Sequence, residues 1–317
     1  HKGLNAMFVM MNAARLGVGM QSLGLTEVAY QNSLAYAKDR LQMRSLKGAK
    51  EPEKAADPII VHPDVRRMLL TQKAYAEGGR AFTYWIASLI DIEQNHPNEK
   101  ERTEAGDLIT LLTPIVKAFI TDNAFTATNE GLQVFGGHGF IVEWGMEQHV
   151  RDARINMIYE GTNTIQSLDL LGRKVLGDMG AKLKKFGKIV ENFIDEEGTR
   201  KETRKEMAEF IEPLADIATK VKKLTLELGM KGMTNADEVG AAAVPYLRVV
   251  GHLVYSYLFA RMAYVALTNK ASGDKFYESK LATARFYFAK LLPETAYQIR
   301  AARAGSSTLM ALDANLF

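Results

Sequence analysis

Apolar residues recur at helical spacing from the start of the chain onward. Within positions 7–28 they follow one another at three, four or seven residues, which is the repeat of one face of an α-helix. These positions are Met7, Met11, Ala14, Val18, Leu25 and Val28. The pattern predicts a first helix that ends near Arg44, before a polar loop at residues 47–54.

The same spacing predicts three more helices before residue 177. Asp64 is placed to cap the first of them, and Pro114 either bends the second or splits off its first segment. The predicted spans are 64–95, ended by His96-Pro97-Asn98; 103–134, ended by glycines 136, 137 and 139; and a helix after Gly161 that carries Ile165, Leu168, Leu171 and Val175.

The character of the chain changes after about Gly177. Residues 182–206 are dense in charge and are interrupted by Gly198, which is typical of solvated helix faces around a connection. Apolar helical spacing returns in three long segments, at 207–230, 241–270 and 276–304, with a loop predicted at 232–240 and a turn at 271–274. No alternating strand pattern of useful length occurs. We therefore predict an all-α fold with two helical bundles, residues 1–177 and 178–317.

The composition of the chain excludes several kinds of site and partner. Of the 317 residues, 47% are hydrophobic and 24% are charged, as in an ordinary folded protein. The formal net charge of +3 is small, and basic residues are interleaved with acidic ones, so nucleic acid is not an expected partner. The absence of cysteine excludes disulfides, thiolate metal sites and a cysteine nucleophile. The six histidines show no ligand-pair spacing, so no metal site is expected.

The early part of the chain bears on the location of the protein. The most apolar early stretch, residues 3–20, carries Arg15 and two asparagines, so we expect neither a signal peptide nor a membrane span. A cytoplasmic location follows as an expectation. The first residue is His1 rather than Met, and the chain is therefore expected to be a fragment or a processed product.

Glu160 is the first candidate for chemistry. It lies between an apolar approach, Met157-Ile158-Tyr159, and a glycine-hydroxyl turn, Gly161-Thr162. A carboxylate on an apolar rim resists ionisation and makes a useful general base near neutral pH. The alternative is structural, because acids are also favoured at helix N-termini by the helix dipole.

Arg15 is the second candidate, because it is the one charged residue between Lys2 and Glu27. An arginine held among apolar side chains needs a partner, which is either an internal acid or a ligand phosphate. Arg40 and Gln42, near the predicted end of the first helix, are by themselves typical of surface residues.

The run at residues 133–140, Gln-Val-Phe-Gly-Gly-His-Gly-Phe, is the third candidate. Three glycines in four positions allow the backbone to approach a cofactor closely, and they equally form an ordinary helix C-cap. No strand precedes the run and the spacing is not Gly-x-Gly-x-x-Gly, so it is not a dinucleotide-binding fingerprint of the βαβ type.

Two motifs resemble the signatures of the acyl-CoA dehydrogenases, which are FAD flavoenzymes. Residues 133–140 look like the family's glutamine-glycine signature. Residues 151–155 (Arg-Asp-Ala-Arg-Ile) followed by 159–166 (Tyr-Glu-Gly-Thr-Asn-Thr-Ile-Gln) look like its catalytic signature, and the spacing between the motifs also fits. From about residue 4 to 175 the chain resembles the family's C-terminal helical domain, of the four-helix-bundle type.

The resemblance implies an activity, with FAD as the cofactor and an acyl-CoA thioester as the substrate in fatty acid β-oxidation. Glu160 would remove the α-proton, and the β-hydrogen would pass as hydride to the flavin, leaving a trans-2-enoyl-CoA. The backbone N–H of the base would donate to the thioester carbonyl. Electrons would then pass to an electron-transfer flavoprotein.

The resemblance also implies roles for other residues. Arg15 matches a family arginine near the CoA and the base, which makes it a substrate-binding candidate. Arg40 and Gln42 match positions that hold the FAD diphosphate of the partner subunit, so a homodimer or a dimer of dimers is expected. The expected FAD contacts are Arg40, Gln42, Gln133, Gly136, Gly137, Gly161, Thr162 and Thr164.

The chain also departs from the family pattern. Met43 and Arg44 stand where the family commonly has an aromatic residue and a glycine, and a polar insertion at 47–57 follows. The insertion and the helical region after residue 177 resemble a larger bacterial subgroup that includes the 3-methylmercaptopropionyl-CoA dehydrogenases.

Family enzymes build their site from three parts, and the N-terminal helical domain and the middle β-domain are absent here. We therefore expect the chain alone to bind FAD weakly and to turn over little substrate. Two alternatives stay open: a non-catalytic dimerisation or scaffold module of the same fold, and a nucleic-acid-associated relative that would bind DNA in a salt-dependent way. The small net charge argues against the second.

Overall fold

Twelve α-helices make up most of residues 3–317, the part of the chain that this computed structural model describes, with the side chains at 4–6 and 8–9 left outside that description. Over this part there is no β-strand, only an isolated antiparallel bridge between Leu41 and Pro58. The predicted all-α class is therefore confirmed. The helices are α1 Gly3–Asp39, α2 Pro63–Asn95, α3 Glu99–Phe135, α4 Gly137–Phe140, α5 Met146–Asn156, α6 Asn163–Leu168, α7 Ala181–Thr199, α8 Arg204–Thr234, α9 Ala236–Thr268, α10 Lys275–Phe286, α11 Glu294–Arg303 and α12 Ser307–Met310.

The chain folds as two compact units. The first contains the residues up to Arg80 together with Ile120–Glu160, and the second contains Ala81–Phe119 and Gly161–Phe317. Helices α2 and α3 thus contribute residues to both units, and the chain passes from the first unit to the second at the Glu160–Gly161 peptide. The boundary near residue 177 that the sequence suggests stays a prediction.

The core of the first unit lies between α1, α2 and the end of α3. Met68 and Leu69 of α2 pack with Ala37 of α1 and Val134 of α3. A smaller cluster joins Ala29, Phe135 and Met146, the last from α5. Each fully buried side chain of this size contributes about 1.5–3 kcal/mol, so these contacts fix the relation of α1 to the end of α3.

The core of the second unit surrounds α9. Every residue from 249 to 260 is buried, and α9 packs against α6, α8, α10 and α11. A helix that is apolar all round is expected where other helices cover it on all sides. Helices α3 and α9 are long and apolar enough to span a membrane, and 78% of the apolar window of each is buried inside the fold. That burial accounts for their composition.

The first helix is shorter than predicted. It ends at Asp39 rather than near Arg44, because the chain then turns into extended backbone that pairs with the residues around Pro58. The Ile59 N–H donates to the carbonyl of Arg40 at 2.9 Å, and the Gln42 N–H donates to that of Asp57 at 3.0 Å. Periodicity alone does not reveal this pairing.

The loop predicted at 232–240 is wrong. Helix α8 continues to Thr234 and α9 begins at Ala236, so only Asn235 separates them. Its side chain accepts from the Asp237 N–H at 3.0 Å and caps α9. A Cβ on Gly232 would lie 2.7 Å from Cγ2 of Val239. The glycine that suggested a loop instead permits close packing of the two helices.

Two other predicted helices are interrupted by π-helical turns. The helix after Gly161 becomes π-helical at 169–175, and the long segment at 276–304 does so at 287–291, just before Pro293. In contrast, α3 begins at Glu99, four residues earlier than predicted, and continues through Pro114. The predicted end of α2 at Asn95 is confirmed.

Candidate functional site

The turn that carries Glu160 has an unusual backbone. Glu160 has φ 57° and Gly161 has φ 88°, so two consecutive residues lie in the left-handed region. A non-glycine residue there costs about 1–2 kcal/mol, and such a conformation persists only where the surroundings impose it. Glu160 is half-buried, and its Oε2 atom is withdrawn from solvent. The N-cap of α6 is Thr162, whose Oγ1 accepts from the Ile165 N–H at 3.3 Å.

Side chains just before Glu160 tie the turn to α1. The Tyr159 hydroxyl donates to Oε1 of Gln21 and lies 3.1 Å from Oδ1 of Asn156. Asn156 is completely buried and donates from Nδ2 to Oγ of Ser22 at 2.8 Å. Burial raises the pKa of Tyr159, and the charge of Glu160 raises it further, while the bond to Gln21 lowers it. Tyr159 is therefore a protonated donor at neutral pH.

Side chains just after Glu160 tie the chain to α3. Lys117 is completely buried, and its Nζ donates to the carbonyl of Gly161 and to Oδ1 of Asn163, each at 2.8 Å. Nδ2 of Asn163 donates back to the carbonyl of Ala118 at 3.3 Å. Lys117 is not among the predicted site residues, although a single lysine within a mostly apolar run is a signal that marks it.

Arg15 lies on α1, two turns before the residues that hold the Glu160 turn. It is half-buried and donates from Nη1 to Oδ1 of Asn12 in its own helix at 3.3 Å. Among the described side chains it forms no ion pair with a carboxylate, and its Nε is buried without a hydrogen-bond partner. The internal acid considered from the sequence is thus not present, which leaves a cation available to an anionic ligand.

A cleft of about 360 Å³ in the first unit gathers five of the residues predicted to contact a cofactor. These are Arg40, Gln42, Gln133, Gly136 and Gly137. Gly136 has φ 59° and ends α3, so it is both a helix terminator and part of the cleft wall. Nothing lies within 4 Å of a Cβ placed on Gly136 or Gly137, which leaves their backbone open to a ligand.

Aromatic side chains form another wall of this cleft. The ring of Tyr36 stacks on Phe135 with centroids 4.1 Å apart, and its hydroxyl lies 2.9 Å from Nδ1 of His138. His138 in turn stacks on Trp144 at 4.9 Å. Tyr36 and His138 line the cleft, and neither is among the residues predicted from the sequence to contact the cofactor.

The insertion at 47–57 is organised around one carboxylate. Asp57 is buried, and its oxygens accept from the backbone N–H groups of Ser45, Lys50 and Glu51, each at 2.9 Å. Arg44 donates to it at 3.2 Å. The bond from Ser45 and the other donors hold the pKa of Asp57 well below its usual range, although burial opposes this. The insertion is therefore an ordered loop beside Gln42.

The predicted site residues are divided between the two units of the chain. Glu160 and Arg15 belong to the first unit, as do the five cleft residues. Gly161, Thr162 and Thr164 belong to the second unit, where Thr162 caps α6 and Thr164 is exposed in its first turn. In the part of the chain that the structure describes, no cluster of three or more His, Cys, Asp or Glu could hold a metal ion.

Family models cover nearly the whole chain. Residues 1–176 match the model described as acyl-CoA dehydrogenase, C-terminal domain, and residues 186–313 match one described as acetyl-CoA dehydrogenase C-terminal like. The chain therefore belongs to the acyl-CoA dehydrogenase family.

Curated relatives agree with this assignment. The chain is 38% identical to 3-methylmercaptopropionyl-CoA dehydrogenase of Ruegeria pomeroyi over 98% of its own length and 52% of the relative's. It is 35% identical to the broad-specificity linear acyl-CoA dehydrogenase FadE5 of Mycobacterium tuberculosis, over 92% of the chain and 49% of the relative. The chain spans about half the length of the curated relatives it matches.

Solved structures share the fold. A Bacillus anthracis acyl-CoA dehydrogenase complexed with FAD superposes with a TM-score of 0.72 at 18% identity, over 99% of this chain and 51% of that one. Caenorhabditis elegans ACDH-11 in complex with C11-CoA gives 0.70 at 19% identity, over 89% of this chain and 43% of that one. At such identities the likeness establishes the fold alone.

Proposed function

We propose that this chain supplies the catalytic base and much of the cofactor-binding surface of an FAD-dependent acyl-CoA dehydrogenase. Glu160 is the base, and the turn around it carries the proposal. Its carboxylate oxygen is withdrawn from water on a backbone held in a left-handed conformation. Strained backbone of this kind gathers at active sites, where it fixes the direction of a reacting group.

In this proposal Glu160 removes the proton from the α-carbon of the acyl thioester. The electron pair of the broken C–H bond forms the new C=C bond as the β-hydrogen departs as hydride, which gives a trans-2-enoyl-CoA. The N–H of Glu160 donates to the thioester carbonyl and stabilises the charge that develops there. FAD, when bound, supplies the hydride acceptor. Arg15 would bind an anionic part of the substrate, which is supported by its buried Nε without a hydrogen-bond partner.

In this proposal the cleft holds the diphosphate and adenosine part of FAD. Arg40 supplies a cation for the diphosphate, and Gln42 and Gln133 supply amide donors and acceptors. The exposed backbone of Gly136 and Gly137 admits a flat ligand closely. We extend the proposal to FAD contacts from Gly161, Thr162 and Thr164.

The wider setting is also a proposal. Arg40 and Gln42 would reach the FAD of a partner subunit in a homodimer or a dimer of dimers. An electron-transfer flavoprotein would accept the electrons, and the protein would act in the cytoplasm in fatty acid β-oxidation. The relatives' names support acyl-CoA as the substrate class, and acyl-chain preference is left open. The 317-residue chain by itself would bind FAD weakly, and a purified chain with flavin absorbance at 1:1 that an acyl-CoA bleaches would refute this.

The test of the catalytic role is Glu160→Gln in the protein at its native length. We expect FAD to stay bound while the rate of flavin bleaching by acyl-CoA falls by about 10²–10⁴, the usual contribution of a general base. Glu278→Gln, a change at an exposed position on α10, is the matched control and should react normally. Unchanged bleaching in Glu160→Gln would remove the catalytic role and favour the scaffold alternative.

A further inference from the structure

Lys117 is a buried cation that the proposed mechanism does not use. It lies on α3 inside an unbroken run of buried positions from 111 to 121, next to Val116 and Ala118. Burying an ammonium group is very costly unless hydrogen bonds replace its lost hydration. Lys117 is the one charged side chain in this run, and it therefore has a specific partner.

That partner is the chain directly after the proposed base. Nζ of Lys117 donates to the carbonyl of Gly161 and to Oδ1 of Asn163, each at 2.8 Å. Both bonds have a charged donor, which makes them about twice as strong as neutral ones. Asn163 donates back to the carbonyl of Ala118, so the two segments are joined in both directions.

The backbone at this point needs such support. Glu160 and Gly161 occupy the left-handed region one after the other, and Glu160 carries a Cβ that disfavours it. A strained turn relaxes unless both of its ends are fixed. Tyr159 and Asn156 fix the end before Glu160 on α1, and Lys117 fixes the carbonyl one residue after it.

We propose that Lys117 is a positioning residue for Glu160, which acts by holding the Gly161 carbonyl and thereby the backbone that directs the carboxylate. The inference rests on the proposed function, since it assigns a purpose to the same turn. In this proposal Lys117 acts through the Gly161 carbonyl and not on the substrate. Without it the fold remains, but the turn samples other conformations and the base spends less time facing the α-carbon.

The first test is independent of activity. In Lys117→Met the cation is replaced by an apolar chain of similar length, and hydrogen–deuterium exchange is followed by mass spectrometry. We expect faster amide exchange in peptides covering 157–165 and unchanged exchange at 133–139. Lys185→Met, which removes the exposed ion pair between Lys185 and Asp107 of α3, is the matched control. Unchanged exchange at 157–165 would overturn the proposal.

The second test separates positioning from folding. In the native-length protein, Lys117→Met should lower kcat about 10–100-fold with KM and FAD content retained, because a misplacement of about 1 Å costs on this order. Lys117→Gln, which keeps a donor, should recover part of the rate. Asn163→Ala removes one acceptor of Lys117 and provides a second variant if Lys117→Met does not fold. It should also lower kcat with KM retained.

The outcomes distinguish the two proposals. Normal kcat in both Lys117→Met and Asn163→Ala, beside an inactive Glu160→Gln, would overturn the role of Lys117 and leave the base in place. Parallel losses of FAD content, Tm and kcat in every variant would show a merely structural lysine and overturn it as well. Activity in Glu160→Gln would instead overturn the proposed function itself.

Discussion

His252 donates from Nε2 to the carboxylate of Glu294 at 3.2 Å, in a part of the second unit where the imidazole is completely buried. Because a carboxylate only accepts, Nε2 carries the proton, while Nδ1 lies 2.9 Å from the Tyr287 hydroxyl, which donates to the His252 carbonyl at 3.2 Å. Arg248 donates to the same carboxylate at 2.7 Å and 2.8 Å. The group is a polar network whose imidazole is completely buried and whose carboxylate is partly exposed.

This network predicts loss of stability on acidification. Burial lowers the pKa of His252, since it opposes the charged ring, although Glu294 partly offsets this. As the pH falls below about 6.5, His252 therefore binds a proton in the unfolded chain before it does so in the folded chain. The stability that this group contributes is present above pH 6.5 and is lost below it, by up to about 1.4 kcal/mol per pH unit.

Glu294 also makes the folded state less stable on acidification, but at lower pH than His252. Burial raises its pKa, but the hydrogen bonds from His252 and Arg248 outweigh this and hold it well below its usual range. Its contribution is thus present above about pH 4.5 and is lost as pH falls further. The measurement is urea unfolding between pH 8 and 4.5. His252→Gln should flatten the slope between pH 6.5 and 5.5; a slope equal to that of the unsubstituted protein would contradict the assignment.

Gly251 predicts a second effect on stability. A Cβ on Gly251 of α9 would lie 2.3 Å from Cδ2 of Phe119. That ring cannot move aside easily, because it packs edge-on to Tyr255 at 4.8 Å and lies under the Arg248 guanidinium at 4.6 Å. Gly251→Ala gains about 1 kcal/mol of helix propensity but costs about 1–3 kcal/mol in overpacking. We expect a net loss of stability in thermal unfolding.

Gly187 provides the control for this change. It lies inside α7, and nothing is within 4 Å of a Cβ placed there. Gly187→Ala should therefore raise the free energy of unfolding by up to about 1 kcal/mol. Phe119→Leu in the Gly251→Ala background should restore part of the loss. If Gly251→Ala and Gly187→Ala were both stabilising, Phe119 could shift aside and its close packing on Gly251 would not contribute to stability.

Asp57 predicts an effect on cofactor affinity. The backbone of Asp57 pairs with Gln42 and Met43. Its carboxylate accepts hydrogen bonds from the backbone N–H groups of Ser45 and Lys50. Asp57→Asn replaces one accepting oxygen with an N–H₂ group that opposes those donors. The loop then loses its order, and Arg40 and Gln42 lose a preorganised geometry. We expect FAD to bind the native-length protein roughly tenfold more weakly.

Flavin fluorescence titration measures this affinity. Asp64→Asn is the matched control, because Asp64 is an exposed acid that pairs with Arg67 on the surface of α2. It should leave FAD affinity unchanged. Equal affinity in Asp57→Asn and Asp64→Asn would mean that the insertion does not support the cleft.

The left-handed backbone at Glu160 predicts which replacement is the more stable there. Both Glu160→Ala and Glu160→Gly remove the proposed base, but only glycine relieves the strain of φ 57°. Glu160→Gly should therefore be about 1 kcal/mol more stable than Glu160→Ala in denaturant unfolding, although glycine is normally the less stable choice. The reverse order would show that the turn is unstrained.

Much of the helical architecture follows from the spacing of apolar residues. The end of α2 and the glycine stop of α3 were predictable, because breakers and a regular apolar face act within a few residues. The prediction of a loop at 232–240 failed because a glycine can either break a helix or allow two helices to pack closely. At Gly232 only the close approach of Val239 shows that the second applies. The end of α1 failed because backbone pairing with Pro58 overrides local helical preference.

The candidate site shows the same division. The sequence by itself determined the fold class, and it indicated Glu160, Arg15 and the glycine run, because residue type and order along the chain carry that chemistry. Only the tertiary structure decided that Arg40 and Gly136 share a cleft, that Arg15 pairs with no carboxylate among the described side chains, and that Lys117 holds the carbonyl of Gly161. Contacts between residues tens of positions apart depend on how helices pack, and a local pattern contains no record of that packing.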